Sequence, residues 1–241
     1  MTPYATAAER VRALYRIPTA PLRNRTLEIC GGRDPLLANW RWPGEGHVCC
    51  VVGAPALTDG AGTTLIATGL DAPVPFAAQS FDLVILHRTL DDLAAAAGRN
   101  RFDAQSFLTQ VAGVLTPGGL VAGCVENRAS LPGIAHWAAQ ALRMRASGGT
   151  SFRFSLQGLR GMLSRASLAD IRTFRLLPDG DAPLKLVDVD PTVTRFAFRR
   201  ELDARRRHLS SMALSARRLA VEVGLYRYLE PSIFFWAYKP C

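Results

Sequence analysis

The sequence contains almost no lysine: of its 29 basic residues only Lys185 and Lys239 are lysines, and the others are arginines. Against 20 acidic residues, the basic residues give a formal net charge of +9. The arginines accompany abundant Ala and Gly, as expected of a GC-rich coding sequence. Net charge alone therefore gives little support to nucleic-acid binding, although it is a legitimate indicator of such partners elsewhere.

Long hydrophobic runs are also missing. No stretch approaches the roughly 18 apolar residues that predict a membrane-spanning helix. The first 18 residues carry dispersed charges and no apolar segment, so they do not read as a secretory signal. A short docking helix is favoured here over an organelle transit peptide, and we expect a cytoplasmic protein.

Cysteine is scarce and unpaired in its spacing. There is no CxxC pair and no histidine at metal-ligand spacing, and an odd count within apolar segments favours reduced, buried thiols over disulfides. Cys49 and Cys50 are adjacent, so on a strand they would point to opposite faces and could not bind one ion together. We expect no structural metal. The five cysteines are Cys30, Cys49, Cys50, Cys124 and Cys241.

What the sequence does contain is an alternation of strands and helices. The hydrophobic content of 49% and charged content of 20% are those of a globular domain. The run SFDLVILH is almost continuously apolar, which is typical of a strand buried on both faces in a parallel sheet. A strand, a helix and a strand in succession predict a right-handed βαβ unit. Strands are predicted at 26–30, 47–52, 63–68, 80–87, 120–126, 170–177 and 232–239, and helices at 4–16, 103–115, 132–145, 155–166 and 197–223.

Four segments in this order resemble class I S-adenosylmethionine (SAM)-dependent methyltransferases, in particular the small-molecule, methyltransferase type 11-like branch. They span residues 26–178, and the final IFFWAYKP resembles the family's closing strand. The middle two segments are the more specific ones. The four are TLEICGG, GLDAPVPFAAQSFDLVILHRTLDDL, FLTQVAGVLTPGGLVAGCVEN and FSLQGLRGMLSRASLADIRTFRLLP.

The predicted fold is Rossmann-like and doubly wound, with a mostly parallel seven-stranded sheet, helices on both faces and a helical insertion before the last strand. We expect one domain over residues 1–241. Its parts are an N-terminal helix (1–20), a core (26–178), a helical insertion or lid (179–230) and a closing strand (231–241).

The resemblance also implies a SAM site beyond the carboxyl ends of the strands, where ligands bind in open α/β sheets. By this resemblance, Glu28 would bind the aminoacyl end of SAM and Asp71 would bind the adenine amino group. Gly32 would let the backbone come close to the cofactor. Leu86 and His87 would border the methyl-bearing sulfonium. The predicted cofactor-binding residues are Glu28, Cys30, Gly31, Gly32, Val52, Asp71, Ala72 and Leu86.

His87 is the candidate catalytic residue, because a histidine near neutral pKa can act as a general base on a hydroxyl or an amine. The alternative is a structural, hydrogen-bonded histidine at a strand end. Asp91 and Asp92 are interpreted as solvated residues in the first turn of a helix, where acidic groups suit the helix dipole.

The cofactor motif is degenerate at three positions. Cys30 replaces the first glycine, Asp34 the third, and Val52 stands where the family has an acid that binds the ribose hydroxyls. Losing a charged hydrogen-bond acceptor typically costs about 1.5–3 kcal/mol, or roughly ten- to a hundredfold in affinity. SAM binding is thus expected to be weakened or lost.

Two functions stay open. The first is a SAM-dependent methyltransferase acting on a small-molecule O or N acceptor, and the second is a non-catalytic methyltransferase-like protein serving as a structural or regulatory partner. The arginine-rich predicted helix 197–223 is interpreted as a docked helix with a solvated face, a lid over the acceptor, or a protein-partner surface. Nucleic-acid binding is less favoured, because arginines attract phosphates but no aromatic platform or known module accompanies them.

Overall fold

A computed structural model gives the fold of this chain. It describes residues 6–19, 25–31, 46–52, 64–68, 73–97, 102–127, 154–177, 185–189 and 232–241, and isolated positions 183, 193, 196, 200 and 219. The strands are β1 (Arg25–Cys30), β2 (Gly46–Val52), β3 (Thr64–Thr68), β4 (Phe81–His87), β5 (Leu115–Glu126), β6 (Ala169–Leu177), β7 (Lys185–Asp188) and β8 (Ser232–Tyr238). The helices are α1 (Ala7–Thr19), α2 (Thr89–Ala97), α3 (Ala104–Val114) and α4 (Leu156–Arg165).

All eight strands belong to one sheet in the order β3-β2-β1-β4-β5-β8-β6-β7. Strands β1 to β5 are paired in parallel. The closing strand β8 lies antiparallel between β5 and β6. This is the mostly parallel, doubly wound sheet that the alternation of strands and helices predicts, and the predicted fold class is confirmed.

The sheet has one strand more than the seven predicted. The segment 178–195 reads in sequence as an extended loop rich in Pro and Asp, yet Lys185–Asp188 forms β7 and pairs antiparallel with β6. This strand has only four residues and lies at the edge of the sheet. Edge strands are often short and carry charged side chains, so such a strand leaves little apolar signal in the sequence.

Helices cover both faces of the sheet, each over its own hydrophobic core. On one side, α2, α3 and α4 pack on the side chains of residues such as Leu27, Ile29 and Val84. On the other side, α1 packs on residues such as Leu83 and Ile85. Because side chains alternate along a strand, neighbouring positions of β1 and β4 serve opposite cores. We call these two sides the α2 face and the α1 face.

The predicted helices 132–145 and 197–223 lie largely outside the residues that the structure describes. The same holds for most of the predicted insertion 179–230, of which β7 is the longest described part. Within the described ranges, the structure contains no helix long and apolar enough to span a membrane.

Gly123 of β5 lies directly against the aromatic ring of Phe235, which leaves no room for a larger side chain. A Cβ at Gly123 would lie 2.6 Å from Cζ of Phe235 and 2.8 Å from the backbone oxygen of Leu86. Both neighbours are fully buried. We expect Gly123→Ala to lower the free energy of unfolding by about 1–3 kcal/mol, as overpacking of a core does.

The matched control is Gly113→Ala in α3, where an added Cβ meets nothing within 4 Å. That change is expected to be neutral or to stabilise the protein by up to about 1 kcal/mol, because alanine suits a helix better than glycine. Urea unfolding followed by circular dichroism measures both variants. Equal effects of the two changes would contradict the packing argument.

Candidate functional site

The candidate site lies where the strand order reverses. Starting from β1, the chain extends the sheet outward to β2 and β3, and then returns to place β4 on the other side of β1. In open α/β sheets, ligands bind in the crevice beyond the carboxyl ends at such a switch point. Here β1 ends at Cys30 and is followed by Gly31, and β4 ends at His87 and is followed by Arg88.

The predicted site residues fall on both faces of the sheet. Glu28 lies in register with Ile85 and therefore belongs to the α1 face, where it is 1% exposed. Val52 and Leu86 instead pack into the core of the α2 face. Gly32, Asp71 and Ala72 lie outside the described residues, as does Asp34, so their closeness to one another stays a prediction.

Glu28 is part of a buried polar group with two thiols. Cys30 lies two positions after Glu28 in β1, and Cys49 of β2 is paired with Glu28. The two Sγ atoms are 3.8 Å apart. One carboxylate oxygen and the two sulfurs all lie within 4.8 Å of one another. The contact with Cys49, burial, and the charge of Glu28 raise the pKa of the Cys30 thiol far above its usual value.

The four cysteines inside the strands are buried thiols that form no disulfide, as the sequence predicts, and Cys241 is exposed. Cys49 and Cys50 serve opposite faces: Cys50 belongs to the core of the α2 face. Cys49 was not predicted as a site residue. Its proximity to Cys30 depends on the β1–β2 register, which no spacing in the sequence reveals.

A second polar contact joins α1 to the end of β4. The hydroxyl of Tyr15 lies 2.9 Å from Nδ1 of His87, and the two rings meet edge to face at 5.9 Å. Tyr15 is fully buried, and burial raises its pKa well above the usual value, with Cys124, Glu28 and Cys30 nearby. A tyrosine on an apolar helix face needs a polar partner for its hydroxyl, and this was the available signal for the contact.

Gly31 makes the tight turn after β1 fit against α2. A Cβ at this position would lie 2.6 Å from Cβ of Asp92 and 3.1 Å from the backbone nitrogen of Leu93. The hydroxyl of Thr89 donates a hydrogen bond to the backbone oxygen of Ile29. Close packing between the turn and α2 thus gives Gly31 a structural reason to be glycine, in addition to the predicted approach of a cofactor.

The turn after β4 holds a network of charged groups. Arg88 has a left-handed backbone with φ of 57°, and its guanidinium forms an ion pair with Glu126 at the end of β5. The backbone N–H of Glu126 donates to Oδ2 of Asp91 at 2.9 Å. Asp91 is 7% exposed. The interpretation of Asp91 as a solvated residue is therefore wrong: its carboxyl links α2 to β5 instead of facing solvent.

Burial of Asp91 gives a pH prediction. Burial and the negative charge of Glu126 raise the pKa of this carboxyl to about 8. The hydrogen bond that the Glu126 N–H donates acts in the opposite direction and lowers the pKa. The folded state thus retains a proton that the unfolded chain loses near pH 4. The resulting stabilisation is complete below about pH 4, and the free energy of unfolding should fall toward pH 8 by up to about 1.4 kcal/mol per pH unit.

The test is urea unfolding of wild type and Asp91→Asn from acidic to mildly alkaline pH. The variant stays neutral, so its stability curve should be flatter over this range. Asp103→Asn is the matched control: Asp103 is the exposed N-cap of α3, and asparagine caps helices about as well. Parallel curves for wild type and Asp91→Asn would contradict the buried, protonated carboxyl.

Comparison with known proteins adds information from structure alone. No family model matches the chain, and no curated protein matches it in sequence. A SAM-dependent methyltransferase from Archaeoglobus fulgidus aligns with a TM-score of 0.58 at 13% identity, covering 98% of this chain and 95% of the other. A SAM-dependent methyltransferase from Thermotoga maritima aligns with a TM-score of 0.54 at 12% identity, covering 97% and 89%.

A third similar structure is the phosphoethanolamine N-methyltransferase 2 of Haemonchus contortus, in complex with phosphomonomethylethanolamine and S-adenosylhomocysteine. It aligns with a TM-score of 0.54 at 13% identity and covers 96% of this chain but 52% of the larger protein. At such identities a structural likeness establishes the fold and nothing finer. The strand order and these likenesses together show that the chain has the class I SAM-dependent methyltransferase fold.

Proposed function

We propose that this chain is a SAM-dependent methyltransferase that acts on an oxygen or nitrogen atom of a small-molecule acceptor. The observation that carries the proposal is that β1, with Glu28 and the Gly31 turn, and β4, with the Tyr15–His87 pair, end side by side at the switch point of the sheet. The solved structures with this fold support it, since one of them holds S-adenosylhomocysteine (SAH), the demethylated product of SAM.

The residues present fit one half of the cofactor better than the other. Glu28 is a buried carboxylate near the end of β1, suited to the ammonium group of SAM, and Cys30 is small enough to border it. Val52 packs into the α2-face core and offers no side-chain oxygen to the ribose. The proposed site would therefore bind the aminoacyl end of SAM more strongly than its ribose. Gly32, Asp71, Ala72 and the backbone of Leu86 complete the proposed contacts.

SAM supplies a methyl group that is already activated, so the protein contributes mainly alignment of the acceptor. His87 is the proposed general base, placed at the carboxyl end of β4. As a base, His87 would accept the acceptor's proton at Nε2, and this role requires the tautomer in which Nδ1 donates to the Tyr15 oxygen. Tyr15 would then act as a positioning residue that fixes the imidazole ring.

The insertion 179–230, which includes the arginine-rich segment 197–223, is the proposed lid over the acceptor. The alternative function, a non-catalytic partner in an assembly, draws on the same segment as a protein-binding surface. Val52 favours this alternative, because it removes a cofactor contact. Catalysis and cofactor binding distinguish the two functions.

The experiment is transfer of a labelled methyl group from SAM to a panel of small phenols, carboxylates and amines. The proposal predicts labelled product and stoichiometric SAH with at least one acceptor class, and a loss of both in His87→Gln while SAH binding persists. SAH binding by a folded protein that methylates no acceptor would favour the non-catalytic alternative.

A further inference from the structure

The buried group of Glu28, Cys30 and Cys49 has the composition of a metal site. The three side chains share the α1 face because Glu28 and Cys30 alternate along β1 and Cys49 is paired beside Glu28. Each is at most 6% exposed. Two sulfurs and a carboxylate together are a donor set that soft divalent ions such as zinc prefer.

The spacing of the donors supports this interpretation. Zinc binds thiolate sulfur at about 2.3 Å with tetrahedral angles, which places two ligand sulfurs about 3.8 Å apart. The Sγ atoms of Cys30 and Cys49 are 3.8 Å apart. A disulfide would require about 2.05 Å. The carboxylate of Glu28 lies within 4.8 Å of both sulfurs, close enough to complete three corners of one tetrahedron.

We propose that Glu28, Cys30 and Cys49 bind one thiophilic divalent cation of the zinc type. Binding converts the two thiols to thiolates, forms two metal–sulfur bonds and one metal–oxygen bond, and releases two protons to the solvent. The two thiolates and the Glu28 carboxylate then balance the dipositive ion with one negative charge to spare. Three protein ligands leave the fourth tetrahedral position for a water molecule or another ligand.

The site has a consequence for the proposed activity, and this part rests on the proposed function. Glu28 and Cys30 are also proposed to hold the aminoacyl end of SAM. A metal ion bound to both would take the carboxylate from the cofactor, so metal and cofactor should compete. Exposure to zinc or cadmium would then inhibit methyl transfer without unfolding the protein.

The test is titration of the metal-free protein with Cd²⁺, followed by the ultraviolet charge-transfer band of cadmium thiolates and by equilibrium dialysis. A Cys241→Ser background is used throughout, because the exposed Cys241 thiol would itself bind cadmium. The proposal predicts one Cd²⁺ per chain. Cys49→Ala should weaken binding at least about tenfold and roughly halve the band, since even supporting residues of metal sites contribute 10–100-fold.

Cys50→Ala is the matched control, since Cys50 is the adjacent residue, equally buried, and faces the other core. It should bind Cd²⁺ like the background protein. Absence of a band in the background protein would overturn the proposal whether or not the variants fold. A band that survives in Cys49→Ala, or disappears equally in Cys50→Ala, would also overturn it.

A final arm separates this proposal from the proposed function. In the presence of saturating Cd²⁺, the affinity for SAH should fall at least about tenfold, as expected when a charged partner of the ligand is withdrawn. If Cd²⁺ binds at Cys49 and SAH binds equally well with and without it, the competition is wrong and Glu28 does not hold the ligand. If Cd²⁺ binds at Cys49 but SAH never binds, the metal site stands and the methyltransferase proposal fails.

Discussion

Phe234→Ala is expected to lower the free energy of unfolding by about 3–5 kcal/mol, as truncation of a buried phenylalanine does. Phe234 is fully buried in β8, under α1. Its ring contacts Tyr15 of α1 edge to face at 5.3 Å and lies 6.4 Å from the ring of Phe174 in β6. Because these partners come from separate elements, they cannot close the resulting cavity without shifting a helix or a strand.

Phe196→Ala is the control for this truncation, because Phe196 is 63% exposed and its loss should change stability by no more than about 0.5 kcal/mol. Urea unfolding monitored by circular dichroism measures both. Loss of Phe234 also removes a ring that packs against Tyr15, so the hydrogen bond between Tyr15 and His87 should weaken as well. A cost below about 1 kcal/mol would contradict the tight packing of α1 on the sheet.

Glu28→Gln is expected to weaken SAH binding about ten- to a hundredfold, because it would remove the proposed charge-assisted hydrogen bond to the ligand's ammonium group. The change keeps the size of the side chain, so the main effect should be electrostatic. Glu28 has nearly no exposed surface, and water cannot replace the lost interaction cheaply. Calorimetric titration of metal-free protein measures the difference.

Asp82→Asn serves as the control for charge removal. Asp82 lies near the opposite, amino end of β4, where its carboxylate accepts hydrogen bonds from Arg25 and Thr116. This variant should bind SAH like the wild type, apart from any change in stability. Equal losses of affinity in Asp82→Asn and Glu28→Gln would mean that Glu28 has no special contact with the ligand.

Most of the sheet could be predicted from the sequence, because its central strands are long apolar runs between clear breaks. For Phe81–His87, Gly46–Val52 and Ser232–Tyr238 the predicted bounds agree with the structure to within one residue. The strand Lys185–Asp188 was missed, since four residues among Pro and Asp carry no periodic signal. Leu115–Glu126 begins earlier than predicted, because Leu115 pairs with Phe81 before a shift in register.

The candidate site was predictable only in part. Glu28 and Gly31 were predicted from the resemblance that TLEICGG carries, and the structure places them near the end of β1. Cys49 and Tyr15 reach the site through contacts across 19 and 72 positions, and such contacts depend on strand register and helix docking. Asp91 was misread because acidic residues in a first helical turn are usually solvated, whereas here β5 supplies a backbone donor.

The most direct test of the methyltransferase proposal is a calorimetric titration of the folded, metal-free wild-type protein with SAH. The proposal predicts saturable binding of one SAH per chain. Absence of binding at about millimolar ligand, where even a site held by only about 4 kcal/mol would be half occupied, would contradict it. In that case the chain would keep the methyltransferase fold without its cofactor.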